Sequence, residues 1–358
     1  MSTLAEELNT FLRLKLGDDV SLTGEITPLQ GGFDTDTFAF DITNAPESVP
    51  QELVLRLFRH AGESTRVVYE STIQNAAHAA GHPVPHVPID STGHSLLERP
   101  FFVMERLQGP VLGAYLDDQA VLVKIPRLMA ELQVGLHQID STGLRSQLTG
   151  AGVDLGRLMP ISLLNRISAM AEKSGDADLA AINSWLVDHW PEQPANPAIC
   201  HGDFHPNNIL FADGEVTGLI DWGNVMFTHP EFDVGVTHMI LSIGSIDEVS
   251  GLSEEMQQFI ERAAIEYLAA YRSHAPLDDA LLSYYARYGP STLTPRLSLQ
   301  GRVPTCPTWP TTATHGLIRH SLPRSEKSSK TQPALCSIQP SDRRYPSPSR
   351  YSARVLML

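Results

Sequence analysis

The sequence predicts an α+β fold with two lobes: a small β-rich N-terminal lobe, a larger helical C-terminal lobe and a disordered C-terminal tail. Short apolar segments separated by turn signals fill residues 22–60, as strands and hairpins do. Helical patterns follow at residues 126–139 and 179–190. The order hairpin, strand, helix, hairpin differs from the regular strand–helix alternation of a parallel α/β sheet.

The composition is typical of a soluble globular protein, with 358 residues of which 42% are hydrophobic and 19% charged. No apolar run approaches the roughly 18 residues of a membrane span, and the N-terminus lacks the apolar block of a signal peptide. The net charge of −15 argues against nucleic acid or anionic membranes as partners. Three cysteines without a metal or disulfide pattern favour a cytoplasmic protein, whose oligomeric state the sequence leaves open.

Residues 1–19 are predicted to form a helix, and residues 20–105 a nucleotide-binding lobe. That lobe begins with two apolar strands joined by a turn that contains Gly31 and Gly32. Such a turn can bring backbone amides close to phosphate groups. The same residues also fit an ordinary hairpin turn, so the glycine pair alone leaves both interpretations open.

The next strand, at residues 53–58, carries one long cation, Arg56, among apolar side chains. A largely buried cation needs a charged partner or a ligand. The helix that follows, at residues 64–80, offers Glu70, and an Arg56–Glu70 pair would match the cation–glutamate pair of kinases. The alternative is an arginine at the strand end whose head group reaches water.

A second hairpin is predicted from Ile89 to Leu107, after a proline-rich linker. Its returning strand ends around Glu105, where the first lobe gives way to a predicted catalytic and acceptor-binding lobe at residues 106–289. Helices with clear apolar faces are predicted there at 126–139 and 179–190, whereas the residues between them show only a weak pattern.

The densest chemistry follows in HGDFHPNNILF, ADGE and VTGLIDW, at residues 201–222. The Asp-Gly pair between two apolar runs predicts a tight hairpin, which would bring Asn208 close to Asp221 while Asp203 lies in the preceding loop. Phosphoryl transfer needs hard oxygen ligands for Mg²⁺ and a carboxylate that accepts the hydroxyl proton. The kinase template has a catalytic aspartate five residues before a metal-binding asparagine, and a second metal-binding aspartate further on; Asp203, Asn208 and Asp221 have that order.

HGDFHPNNILF followed by GLIDWG resembles the aminoglycoside phosphotransferase and choline-kinase-like superfamily, whose fold is that of protein kinases. The segments PFFVMERLQG, LVLRLF and QGGFDTDTFAF resemble its hinge, its cationic strand and its nucleotide loop, and HPEFDVG resembles the acidic segment that opens its next helix. The resemblance covers roughly residues 20–289, and the HGD block is its most specific part.

This resemblance implies transfer of the terminal phosphoryl group of Mg²⁺-bound ATP or GTP to a hydroxyl of a small molecule. The acidic body favours a cationic acceptor, such as an aminoglycoside or an amino alcohol. The implied roles are a catalytic base, Asp203; Mg²⁺ ligands, Asn208 and Asp221; nucleotide contacts, Gly31, Gly32, Arg56 with Glu70, and the backbone of Glu105 and Leu107; and structural support, His201 and Asp233.

Two alternatives stay open. His201, Asp203 and His205 cluster in the sequence, and histidine–aspartate sets bind transition metals, which would suit a metal-dependent hydrolase. Arg56 also stands where the family has lysine, and arginine does not replace a point charge neutrally. A catalytically impaired nucleotide-binding homologue is therefore the second alternative.

The composition changes abruptly at residue 290. Residues 290–358 hold ten of the 26 basic residues but only two of the 41 acidic ones, together with ten of the 26 prolines. No helical or strand period is present, and we expect a disordered basic tail. A natural extension and out-of-frame translation after a frameshift both explain it; we favour the frameshift as a hypothesis, because the change interrupts a good helical pattern and removes C-terminal helices that the family uses.

Overall fold

The computed structural model describes residues 3–29, 34–115, 117–243 and 254–286. The predicted glycine turn with Gly31 and Gly32 and the predicted tail at 290–358 lie outside the described residues. Within those residues, no helix combines the length and the apolar character that crossing a bilayer requires.

The N-terminal lobe is built on an antiparallel sheet with the strand order β1-β2-β3-β4. Its strands are β1 (Ser21–Leu29), β2 (Thr35–Thr43), β3 (Glu52–Phe58) and β4 (Phe101–Glu105). Its helices are α1 (Leu4–Leu16), capped by a reciprocal Thr3–Glu6 pair, and α2 (Ser64–Ala79). The predicted hairpin from Ile89 is reduced to two isolated bridges, Ile89 with Val103 and Leu96 with Arg99, while β4 pairs along its length with β3.

Strand β3 is buried on both faces, which explains its nearly continuous apolar sequence. Leu53, Leu55 and Leu57 belong to a core that includes the apolar face of α1. Since successive side chains of a strand point to opposite faces, Arg56 and Phe58 lie on the other face, where Phe58 packs with α2. This alternation is what places Arg56 beside helix α2.

The C-terminal lobe is mainly helical. Its helices are α3 (Gln119–Leu122), α4 (Ile125–His137), α5 (Thr142–Gly150), α6 (Pro160–Ser174), α7 (Ala177–Asp188), α8 (Pro230–Ile243), α9 (Glu254–His274) and α10 (Asp279–Ala286). Helix α4 packs against α9, and α8 lies against both α9 and α10. Helices α5 and α6 were not predicted: α5 buries only Leu144 and Leu148, whereas the buried Pro160, Leu164, Ile167 and Ala171 of α6 do recur at helical spacing and were overlooked.

Two short antiparallel pairs complete this lobe. They are β5 (Ala198–Cys200) with β8 (Met226–Thr228), and β6 (Ile209–Ala212) with β7 (Glu215–Leu219). The second pair is the predicted Asp-Gly hairpin, and its turn residues Asp213 and Gly214 have φ values of 52° and 88°. The fold is therefore α+β with a β-rich N-terminal region and a helical C-terminal region, as the sequence predicts.

Candidate active site

The β6–β7 hairpin brings Asn208 and Asp221 to the same end. Ile209 lies opposite Leu219, and the amide of Ile220 donates a hydrogen bond of 2.9 Å to the Asn208 carbonyl. Asn208 is therefore the next position outward on one strand, and Asp221 follows the residue level with it, Ile220, on the other. A short local turn thus creates a pair of oxygen-bearing side chains without help from the rest of the fold.

Asp203 joins this end through the loop before β6. The Asn208 Nδ2 group donates to the Asp203 carbonyl at 2.9 Å and lies 3.2 Å from His205 Nε2. These contacts use the amide nitrogen within the loop, so the amide oxygen is the atom that can serve a cation. The Asp203 carboxylate lies 3.4 Å from His205 Nε2 and its side chain is 35% exposed, so it is accessible from solvent.

The loop that carries Asp203 is fixed by hydrogen bonds to the buried Asp233 of helix α8. Its two carboxylate oxygens accept the amides of His201 and Gly202, both at 2.8 Å, and His137 Nε2 lies 3.1 Å away. Burial alone would raise the pKa of Asp233, but the hydrogen bond and charge of His137 bring it below its usual value. An ionised Asp233 therefore fixes the backbone of the two residues that directly precede Asp203.

His201 has a structural place in the same network. Its Nε2 donates to the Ile220 carbonyl at 3.0 Å, which fixes the tautomer, and its Nδ1 accepts the amide of Asp203 at 3.3 Å. Burial lowers the pKa of His201, so the ring stays neutral. With both nitrogens engaged, His201 ties the loop of Asp203 to the residue before Asp221.

A transition-metal site at His201, Asp203 and His205 finds little support. Among the described residues, the one group with metal-like spacing is His137, Cys200 and Asp233. These side chains already serve the internal network, since His137 contacts Asp233 and the Cys200 thiol lies 3.4 Å from the His229 carbonyl. The described residues therefore do not assemble His201, Asp203 and His205 into a transition-metal site.

Arg56 reaches two carboxylates from different lobes. Its Nε lies 3.3 Å from Glu70 Oε2, and its Nη2 donates to Asp221 Oδ1 at 2.7 Å. Burial would raise the pKa of Asp221, but the charge and hydrogen bond of Arg56 lower it below its usual value. The sequence predicted the contact with Glu70 but not the contact with Asp221.

Arg66 was missed at the sequence level. Its Nε donates to Glu70 Oε1 at 2.6 Å, and its Nη1 lies 3.1 Å from Glu63 and 3.3 Å from Asp34. The four-residue spacing of Arg66 and Glu70 on one helix was the available signal. What the spacing does not reveal is that Glu70 is fully buried beside Arg56.

The segment between the lobes presents backbone groups at Glu105 and Leu107. The Glu105 amide donates to the His86 carbonyl at 2.8 Å, so this amide is already used. The Leu107 amide has no hydrogen-bond partner within the part of the chain that is described. Its side chain packs where a Cβ on Gly218 would otherwise lie, which brings the segment against strand β7.

The donor set at the hairpin end suits a hard divalent cation. The Asp221 carboxylate and the Asn208 amide supply oxygen atoms, which Mg²⁺ prefers, and Asp221 adopts φ 65° where the chain turns sharply after β7. The Asp221 oxygen that contacts Arg56 would have to be shared or released. These residues therefore fit Mg²⁺ better than a metal that prefers nitrogen or sulfur ligands.

Residues 25–285 match the family described as "Phosphotransferase enzyme family". Aminoglycoside 3'-phosphotransferase of Streptomyces fradiae is 25% identical over 261 residues, which are 70% of this chain and 90% of that protein. Acyl-CoA dehydrogenase family member 11 of Mus musculus is 27% identical over 174 residues, which are 46% of this chain. The match spans only 22% of that relative's length.

The fold is also that of a solved structure, a thermostable mutant of aminoglycoside phosphotransferase APH(4)-Ia in ternary complex with AMP-PNP and hygromycin B. The TM-score is 0.54 at 17% sequence identity, over 83% of this chain and 93% of that one. At this identity the likeness establishes the shared architecture of the two chains.

Proposed function

Because this chain belongs to the phosphotransferase enzyme family, we propose that it transfers the terminal phosphoryl group of Mg-ATP or Mg-GTP to a hydroxyl group of a small molecule. The observation that carries the proposal is the meeting of Asp203, Asn208 and Asp221 around one hairpin end. The accessible Asp203 carboxylate and the oxygen donors of the other two residues are the groups that this reaction requires.

In the proposed mechanism, Asp203 orients the acceptor hydroxyl and takes its proton. The hydroxyl oxygen bonds to the terminal phosphorus, the bond from that phosphorus to the bridging oxygen breaks, and the nucleoside diphosphate leaves with the bond's electron pair. Asn208 and Asp221 would hold Mg²⁺, which offsets the negative charge of the phosphates when bound. Arg56 lies beside Asp221 and would contact the phosphate oxygens.

The nucleotide base would lie against the segment between the lobes. The Leu107 amide supports this, since it is without a hydrogen-bond partner among the described residues and can donate to an adenine or guanine ring. The Glu105 carbonyl is its natural counterpart. A contact of Gly31 and Gly32 with the phosphates stays a prediction from the sequence, since both lie outside the described residues.

The proposed acceptor class is supported by the names of similar proteins and by the charge of this chain. Relatives named for aminoglycosides support a small hydroxylated acceptor. The net charge of −15 favours a cationic one through long-range attraction.

The test is nucleotide consumption with Mg-ATP and Mg-GTP across aminoglycosides, macrolides, amino alcohols and sugars. Asp203→Asn should lower transfer by about 10²–10⁴-fold, because it removes the general base, while nucleotide binding is largely kept. Asp213→Asn, the same change at the hairpin turn, is the matched control and should retain activity. Near-full activity of Asp203→Asn would refute the base assignment, and nucleotide binding without turnover on any acceptor would favour the impaired homologue.

A further inference from the structure

One buried carboxylate, Glu70, is shared by two arginines with unequal contacts. Arg66 makes a hydrogen bond of 2.6 Å to Oε1. Arg56 lies 3.3 Å from Oε2, but neither Arg56 Nε nor Glu70 Oε2 has a hydrogen bond within the described part of the chain. Arg66 is therefore the firm hydrogen-bond partner of Glu70, and Arg56 is an adjacent charge.

The hydrogen bond of Arg56 goes to Asp221 instead, at 2.7 Å. In the proposed reaction, Asp221 holds a metal ion and Arg56 turns toward phosphate oxygens. Glu70 then depends on a single remaining cation. A carboxylate that is 0% exposed is strongly destabilised without a charged partner, so that cation has to stay in place.

Arg66 is held in place by further contacts besides its hydrogen bond to Glu70. Its Nη1 also lies 3.1 Å from Glu63 and 3.3 Å from Asp34, the residue directly before strand β2. Its Nη2 packs on Gly223, where a Cβ would overlap it, two residues after Asp221. One guanidinium thus contacts helix α2, Asp34 and the loop of a proposed metal ligand.

We propose that Arg66 is a positioning residue for nucleotide binding: it holds the buried Glu70 in place, so that Arg56 is free to bind phosphate. The inference rests on the proposed function, since it assumes a Mg-nucleotide beside Arg56. It adds a residue that lies one helical turn before the glutamate of the kinase-like pair. Arg66 acts through Glu70 and does not itself touch the reacting atoms.

The test measures the dissociation constant of Mg-AMP-PNP by calorimetry for the full chain, which needs no known acceptor. Arg66→Ala should raise it by about tenfold, because Arg56 is drawn to the uncompensated Glu70. Arg66→Lys should recover part of the affinity, since it restores one charge without the planar fork. Arg127→Ala is the matched control: this exposed arginine also pairs with a glutamate four residues on, and the dissociation constant should not change.

A second arm separates positioning from general stability. Glu70→Gln removes the buried charge, so adding Arg66→Ala to it should cost little further nucleotide affinity if Arg66 acts through Glu70. Equal losses in both backgrounds would overturn the inference, as would unchanged affinity in a folded Arg66→Ala or Arg66→Lys protein. Failure of the wild-type chain to bind Mg-AMP-PNP would instead refute the proposed function, and this inference with it.

Discussion

Arg56 Nη2 donates a 2.7 Å hydrogen bond to Asp221 Oδ1, joining residues 165 positions apart in the chain. The bond connects the central sheet of the N-terminal lobe to the loop that follows β7. Because Arg56 also lies 3.3 Å from Glu70, one guanidinium is placed between two carboxylates. The two carboxylates compensate the charge of the buried Arg56 and hold its guanidinium beside the proposed phosphate site.

Replacement of Arg56 by lysine is expected to weaken nucleotide binding without abolishing it. Lysine keeps the charge but cannot contact Glu70 and Asp221 at once with a planar fork. We expect the dissociation constant of Mg-AMP-PNP to rise by about tenfold, equivalent to roughly 1.4 kcal/mol. Arg127→Lys serves as the control, and an unaltered constant for Arg56→Lys would show that the double contact does not matter for binding.

The substitution Asp221→Asn tests the proposed metal ligand without adding backbone strain, since asparagine tolerates the left-handed φ of 65°. Loss of the charge should weaken nucleotide binding in the presence of Mg²⁺ and leave binding in EDTA nearly unchanged. Asp213→Asn, at φ 52° in the hairpin turn, is the control. Equal effects of Asp221→Asn with and without Mg²⁺ would argue against a metal ligand at this position.

Gly202 is expected to be irreplaceable for packing reasons beyond its φ of 76°. A Cβ there would overlap the Asn224 carbonyl oxygen, whereas nothing lies within 4 Å of the corresponding position at Gly152, which has φ 80°. Gly152→Ala should lower the free energy of unfolding by about 1–2 kcal/mol from the backbone alone. Urea denaturation should show a clearly larger loss for Gly202→Ala, and equal losses would contradict the packing argument.

His82 gives the folded protein an acid-sensitive group. Burial lowers the pKa of His82 from 6.5 to about 4, with smaller contributions from His201 and His137. Between these two values the unfolded chain binds a proton that the folded chain does not, so the free energy of unfolding falls as the pH is lowered through this window. The stability is fully present above pH 6.5, and the loss is at most about 3 kcal/mol.

His82→Phe should therefore flatten the dependence of unfolding free energy on pH between 6.5 and 4. Part of the slope will remain, because burial also lowers the pKa of His238 to about 4. Urea denaturation at several pH values measures the difference between the two proteins. Parallel curves for wild type and His82→Phe would show that His82 is protonated without cost in the folded state.

The site illustrates which features a sequence can predict. Asn208 and Asp221 could be paired because an Asp-Gly turn fixes the register of the hairpin between them. Glu70 was predicted as the partner of Arg56 because the apolar strand left the cation in need of one. The further contact of Arg56 with Asp221 could not be predicted, since it depends on how the two lobes meet.

The contacts of Arg66 and Asp233 were not predicted for related reasons. Arg66 carries a visible helical spacing to Glu70, yet such pairs are common on exposed helix faces and contribute little there. What the spacing could not show is that Glu70 is fully buried. The link from His137 through Asp233 to the amides of His201 and Gly202 likewise joins two helices and a loop that are distant in sequence.

The sequence by itself determined the strands of the N-terminal lobe, helices such as α2, α4 and α7, and the hairpin that carries the oxygen donors, because turns, side-chain alternation and helical faces depend on residues a few positions apart. Only the tertiary structure decided which charges share a buried carboxylate and which backbone amides Asp233 holds. Those contacts form where separate elements pack together, and their strength comes from the exclusion of water that packing produces.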